Sequence, residues 1–212
     1  MKAKTIIHIL LFTVVIVLSY TIYRSIQRPI DFEKNRKERY EVTIEKLKDI
    51  RKAQLAYKDV YGKFTGSWDT LIYFVTHDSI INIRRIGELT DSMIEANINE
   101  RRAFELGLIV RDTIKESVLE SLFGKDYDAN RLKYVPVTDT KAEFHLAAGT
   151  VYAGSGIVVP VFEAKAHNNI ILKNLDEQLL INLNGQRRAN EKYPGLQIGS
   201  LTEANNSAGN WE

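Results

Sequence analysis

Cysteine is absent from all 212 residues. Disulfides, thiolate metal sites, a cysteine nucleophile and lipoprotein-type acylation are therefore excluded. An excess of one charge is also missing: 29 Lys and Arg stand against 27 Asp and Glu, a net +2. That balance argues against a nucleic-acid partner. No internal repeat and no low-complexity block occurs. With 44% hydrophobic and 26% charged residues, the composition is that of a folded chain, and the length suits one domain with an appendage.

Motifs for chemistry are equally sparse. The four histidines, at 8, 77, 145 and 167, show no i,i+3 or i,i+4 pair and no HExxH, so a zinc site would need long-range convergence. The glycine-rich stretch 149–156 (GTVYAGSG) lacks the lysine of a phosphate loop and precedes a strand, so it reads as a turn. Ser155 is flanked directly by glycines, which is not the spacing of a nucleophile elbow. Asp126 and Asp128 open like a calcium loop. Arg131 and Val137 then occupy the positions an EF-hand gives to glycine and glutamate. The two aspartates remain as candidates for a non-EF calcium site, against a solvated turn. No paired carboxylates, triad order or cofactor fingerprint emerges, and the expectation is a protein without cofactor or catalytic site.

One segment departs from the average. Residues 5–23, TIIHILLFTVVIVLSYTIY, contain no Asp, Glu, Lys, Arg, Gly or Pro. As a helix rising about 1.5 Å per residue, the run spans the ~30 Å of bilayer hydrocarbon. Lys2 and Lys4 precede it, Arg24 and Arg28 follow, and Tyr20 and Tyr23 lie at its far end, where amphipathic rings favour the lipid–water boundary. The run exceeds the h-region of a signal peptide and no small-x-small site follows, so an uncleaved anchor is expected. His8 lies near the boundary and can snorkel. A count of flanking basic residues alone would put the large domain in the cytoplasm.

Beyond the anchor, Pro29 and Asp31 predict a short break. Residues 33–61 then carry apolar side chains at Tyr40, Ile44, Leu47, Ile50, Tyr57, Val60 and Tyr61, the spacing of a helix with one apolar stripe. Its charged first half is expected either to stand off as a wet stalk or to pack on a partner helix. Gly62 stops it, and Ser67 N-caps a second helix over 68–76, giving a helical hairpin. Strands are expected at 81–86, 107–113, 131–137, 142–148, 156–166, 169–172 and 196–201, a helix at 175–189, and a loop with a helical turn at 89–104. The division expected is a short cytoplasmic tail (1–4), anchor (5–23), stalk and hairpin (24–76), α+β soluble domain (77–202) and flexible tail (203–212). The fold class is α+β with a mainly antiparallel sheet.

The stretch 40–75 carries a further pattern. It combines a long helix beginning near the membrane, the segment Ile50–Tyr57 (IRKAQLAY), the turn Tyr61–Phe64 (YGKF) and the short helix opening at Trp68 (WDTL). In these features it resembles type IV pilin-like proteins, particularly the pseudopilins of type II secretion. The prepilin peptidase signature of that family, a glycine before a phenylalanine-led apolar run with an early glutamate, is absent; Lys4, Thr5 and Ile6 lead straight into the helix. The resemblance implies a cytoplasmic amino end and a soluble domain in the periplasm, which overrides the charge count. The function expected is a single-pass inner-membrane protein that binds or scaffolds envelope proteins, or associates with itself, in a secretion or surface-assembly complex. Tyr57, Tyr61, Phe64 and Trp68 are the candidate contacts, against a role in core packing. The alternatives are a periplasmic ligand-sensing module and an envelope hydrolase built on His145 or His167.

Overall fold

The computed structural model describes residues 2–86, 99–108, 110–136, 141–152, 154 and 156–212. The fold is α+β. Helix α1 (Lys2–Tyr61) leads into α2 (Trp68–His77), strand β1 (Ser79–Ile86), α3 (Glu100–Glu105), β2 (Val110–Ser117) and α4 (Val118–Leu122). A 3-10 turn (Ala129–Lys133) follows, then β3 (His145–Tyr152), β4 (Val158–His167), α5 (Asn168–Ile171), α6 (Glu177–Ala189) and β5 (Gly195–Gly199). The chain forms two compact units, Met1–Arg51 with Lys133–Glu212 and Lys52–Leu132.

The first unit holds a three-stranded antiparallel sheet in the order β3-β4-β5. Thr150 faces Pro160 across β3 and β4, and Ala164 faces Ile198 across β4 and β5. Phe162, Ala164 and Ala166 on alternate positions of β4 are buried with Leu196 and Ile198, the period-2 face of a strand. Gly195 and Gly199 are required here: a Cβ at either would lie 2.1 Å from a β4 carbonyl oxygen, that of Ala166 or Phe162 respectively.

Residues of α1 complete this unit. Phe32, Thr43, Leu47 and Ile50 are buried, and each large apolar side chain so placed contributes about 1.5–3 kcal/mol. Arg39 Nη1 donates to the carbonyls of Ile171 (3.1 Å) and Lys173 (2.7 Å) at the end of α5. The charged half of the helix thus finds its partner within the chain and keeps its polar face wet.

Four expectations are corrected. Pro29 lies inside α1 rather than at a break. Lacking an N–H, it deprives the Ser25 carbonyl of its i+4 donor, a loss of the order of 3 kcal/mol offset where Phe32 is buried one turn on. The expected strand at 131–137 is not seen among its described residues, 131–136: 129–133 is 3-10, and Tyr134 makes a single bridge with Glu143. Residues 137–140 lie outside the described set. Residues 169–172 belong to the α5 turn, because His167 Nδ1 accepts from Asn169 N at 3.1 Å and starts a helix there. The tail is not loose. Gly199 N donates to Ala208 O (2.9 Å), Asn210 N to Gln197 O (2.9 Å) and Asn210 Nδ2 to Gly195 O (3.0 Å), so it covers the outer edge of β5.

In the second unit the hairpin forms as expected. Gly62 takes a φ of +71° after α1, and Ser67 Oγ accepts from Thr70 N to cap α2. Leu71, Phe74 and Val75 of α2 are buried, as are Ala53, Ala56 and Tyr57 of α1. Gln54 locks the intervening turn: its Nε2 donates to Thr65 O (2.6 Å) and its Oε1 accepts from Thr65 N (3.1 Å), all buried. β1 and β2 pair antiparallel from Ser79–Ser117 to Ile86–Val110, and Val118 N donates to Asp78 O (3.1 Å) beside that first pair. The expected loop at 89–104 lies mostly outside the described residues; its end is α3.

Candidate functional site

The four aromatic candidates divide between core and surface. Tyr57 is 7% exposed and Phe64 is 8% exposed, so both serve chiefly to pack the hairpin. The Tyr57 ring meets Phe74 edge-on at 5.2 Å and tilts against Tyr61 at 4.7 Å, contacts worth about 0.5–1.5 kcal/mol each. Lys58 Nζ lies 5.4 Å from the Phe64 ring. Trp68 is half-buried at the start of α2. Tyr61 is 49% exposed and donates from Oη to Asp78 Oδ2 at 2.5 Å. That hydrogen bond to a carboxylate raises its phenol above the ordinary value of 10.0, since ionisation would set two anions side by side.

Beside this cluster the second unit contains a cleft of about 630 Å³ lined by Leu55, Ala56, Val60, Ile80, Ile81 and Leu122, with Lys52, Asp59 and Ser79 also on its walls. Leu55, Val60 and Ile81 are 39%, 46% and 62% exposed. Apolar side chains gathered at an open cleft with charges beside them are the makings of a protein contact. Leu55 is an apolar residue off the buried stripe of α1. Val60 has the spacing of that stripe but lies open.

A second cleft, in the first unit, encloses about 610 Å³ between Thr21, Arg24, Ser25, Arg28 and Pro29 of α1 and Asp176, Gln178 and Leu179 at the start of α6. Arg28 Nε donates to Asp176 Oδ2 at 2.9 Å and its Nη2 pairs with the same oxygen. Asp176 also caps α6 by accepting from Leu179 N at 3.1 Å. Arg28, with the backbone bonds of the cap, holds this carboxyl below its ordinary range.

The remaining candidates stay apart. Asp126 and Asp128 are exposed, and Asp128 Oδ1 accepts from Asn130 N at 3.0 Å in a local turn. Among the described residues no group of three or more His, Asp or Glu could hold a metal ion. His145 is exposed on β3. Burial and nearby Arg188 push His167 below its ordinary value. Neither ring bonds to an Asp, Glu or Ser side chain among the described residues. His77 stacks on Tyr73 at 4.4 Å, and His8 Nδ1 meets Lys4 O at 2.6 Å.

Among the described residues one helix is long and apolar enough to cross a membrane; its apolar stretch near the amino end is exposed throughout. Comparison with protein-family models, with curated proteins and with solved structures finds no match.

Proposed function

We propose that the chain is a single-pass membrane protein of the bacterial envelope, anchored through residues 5–23. Its folded body stands in the periplasm and binds or scaffolds other proteins of a secretion or surface-assembly complex. The observation that carries the anchor is the contrast along α1. Residues 5–23 bury nothing, whereas the same helix is packed from Phe32 onward. A core helix would bury its apolar stretch; here twelve Leu, Ile, Val and Phe side chains face outward. In a bilayer such residues contribute roughly 0.3–0.6 kcal/mol each near the centre, or about 5 kcal/mol together.

The pilin-like resemblance supports the orientation. It rests on the long helix beginning near the membrane, the segment Ile50–Tyr57, the turn Tyr61–Phe64 and the short helix opening at Trp68. Partner binding falls to the cleft of Leu55, Val60 and Ile81, where apolar surface stands open beside Lys52 and Asp59. The occupant that fits is an amphipathic segment of another envelope protein.

Photo-crosslinking from Val60 and Ile81 in intact bacteria, followed by carbonate washing of the membranes, tests both parts. The expected result is a carbonate-resistant protein crosslinked to secretion or assembly components. Release of the intact chain by carbonate overturns the anchor; absence of crosslinks at both positions overturns the binding role.

A further inference from the structure

Beyond the anchor, the body itself makes a contact that the apolar run does not require. On a bilayer with residues 5–23 in its hydrocarbon, Tyr23 marks the edge. Arg24 and Arg28 then stand only about 1.5 and 7.5 Å further along the helix axis, which is the depth of the lipid headgroups. Arg28 is also where the body begins, because it is ion-paired to Asp176 at the start of α6. The cleft between these segments has Arg24, Thr21, Ser25 and Gln178 on its walls. Arg24 has no hydrogen bond or ion pair among the described residues. Asp176 is engaged by Arg28 and Leu179 N, so the cleft's lining carries two guanidinium groups against one carboxylate.

We infer that this cleft is seated in the headgroup layer and takes the phosphate of an anionic lipid, with Arg24 as its principal ligand and Arg28 as the hinge that holds α6 down on the membrane. The inference rests on the anchor reading and extends it: residues 176–179, distant in sequence, also touch the bilayer. A planar guanidinium suits phosphate oxygens, and the neighbouring hydroxyls of Thr21 and Ser25 add donors. The α6 N-terminus contributes little as an anion site, since Asp176 already occupies it.

The absence of native cysteine makes the test direct. The full chain, carrying one nitroxide through Ser19→Cys or Gln178→Cys, is reconstituted in nanodiscs of phosphatidylcholine and phosphatidylglycerol. Relaxation is read with nickel chelated to lipid headgroups or dissolved in the water. The label at 19 is expected to be shielded from dissolved nickel, and the label at 178 to relax with headgroup nickel. Exposure at 19 overturns the anchor and this inference together. Shielding at 19 without headgroup relaxation at 178 overturns this inference alone. In parallel, Arg24→Gln is expected to reduce retained phosphatidylglycerol about fivefold, while phosphatidylcholine and the melting temperature stay unchanged. Undiminished retention overturns the lipid site.

Discussion

The Tyr40 hydroxyl donates to Asn168 Oδ1 at 2.6 Å, joining α1 to the turn of α5 inside the first unit. Asn168 is fully buried and passes the chain on, donating from Nδ2 to Asn184 Oδ1 (2.9 Å), whose own amide donates to Asn169 Oδ1 (2.8 Å). Asn168→Leu strands the Tyr40 hydroxyl and one side of Asn184. The expected loss is about 2–4 kcal/mol, from about 1–3 kcal/mol per unsatisfied buried group, measured by denaturant unfolding in detergent. Tyr40→Phe removes only the donor and is expected to cost about 1–2 kcal/mol.

The same phenol sets an alkaline limit. Burial raises Tyr40 above 10.0 against the pull of Arg187 and Arg36, and burial with the nearby Glu163 carboxylate raises Tyr193. A raised folded-state value means the fold holds its proton more tightly than the unfolded chain. Their contribution is complete below about pH 10 and is lost as pH climbs through the raised values. Melting temperature is expected to fall steeply across that window, and Tyr40→Phe is expected to flatten the fall.

His167 gives the opposite sign. Its neutral Nδ1 accepts from Asn169 N, and protonation would turn that acceptor into a donor. With a folded-state value below 6.5, the stabilisation is present above 6.5 and is lost as pH falls through the lowered value. Arg188, and Tyr193 edge-on at 6.1 Å, are its neighbours. His167→Asn retains a cap acceptor and is expected to remove the acid-side step from a melting-versus-pH profile.

Gly199→Ala is expected to destabilise the first unit by more than about 2 kcal/mol. A Cβ would meet Phe162 O at 2.1 Å with φ at +72°, so steric overlap adds to left-handed strain of about 1–2 kcal/mol. Gly185→Ala, where a Cβ meets nothing within 4 Å in the middle of α6, is expected to be neutral or stabilising by up to about 1 kcal/mol. The pair of melting curves checks both.

Val15→Arg tests the anchor without touching the body. A charge at the centre of the span costs about 2.5–3.5 kcal/mol of insertion, so a larger fraction of the chain is expected in the carbonate-soluble pool.

Much of this was legible in the sequence, for identifiable reasons. The Gly62 stop, the Ser67 cap and the stripe through Leu47, Ile50 and Tyr57 follow from local backbone chemistry and helical period. β4 is visible because its apolar run is long. Pro29 was misleading because the rule against proline in a helix is an energy of a few kcal/mol, and packing at Phe32 can outweigh it. The Asn168 turn and the tail at 203–212 were missed for one shared reason. Asn, Ser and Gly look like solvated loop, yet here they fix the chain through amides that composition does not reveal. The cleft at Leu55 and Ile81 depends on which apolar side chains tertiary contacts leave uncovered, information that no local pattern holds.

The covering of β5 by residues 203–212 bears on the order of events during synthesis. The second unit is one continuous stretch of chain, whereas the first joins Met1–Arg51 to Lys133–Glu212, and its β5 lacks its outer neighbour until residues 203–212 have been made. Truncations ending before residue 203 should therefore leave β5 more open to cleavage than it is in the full chain.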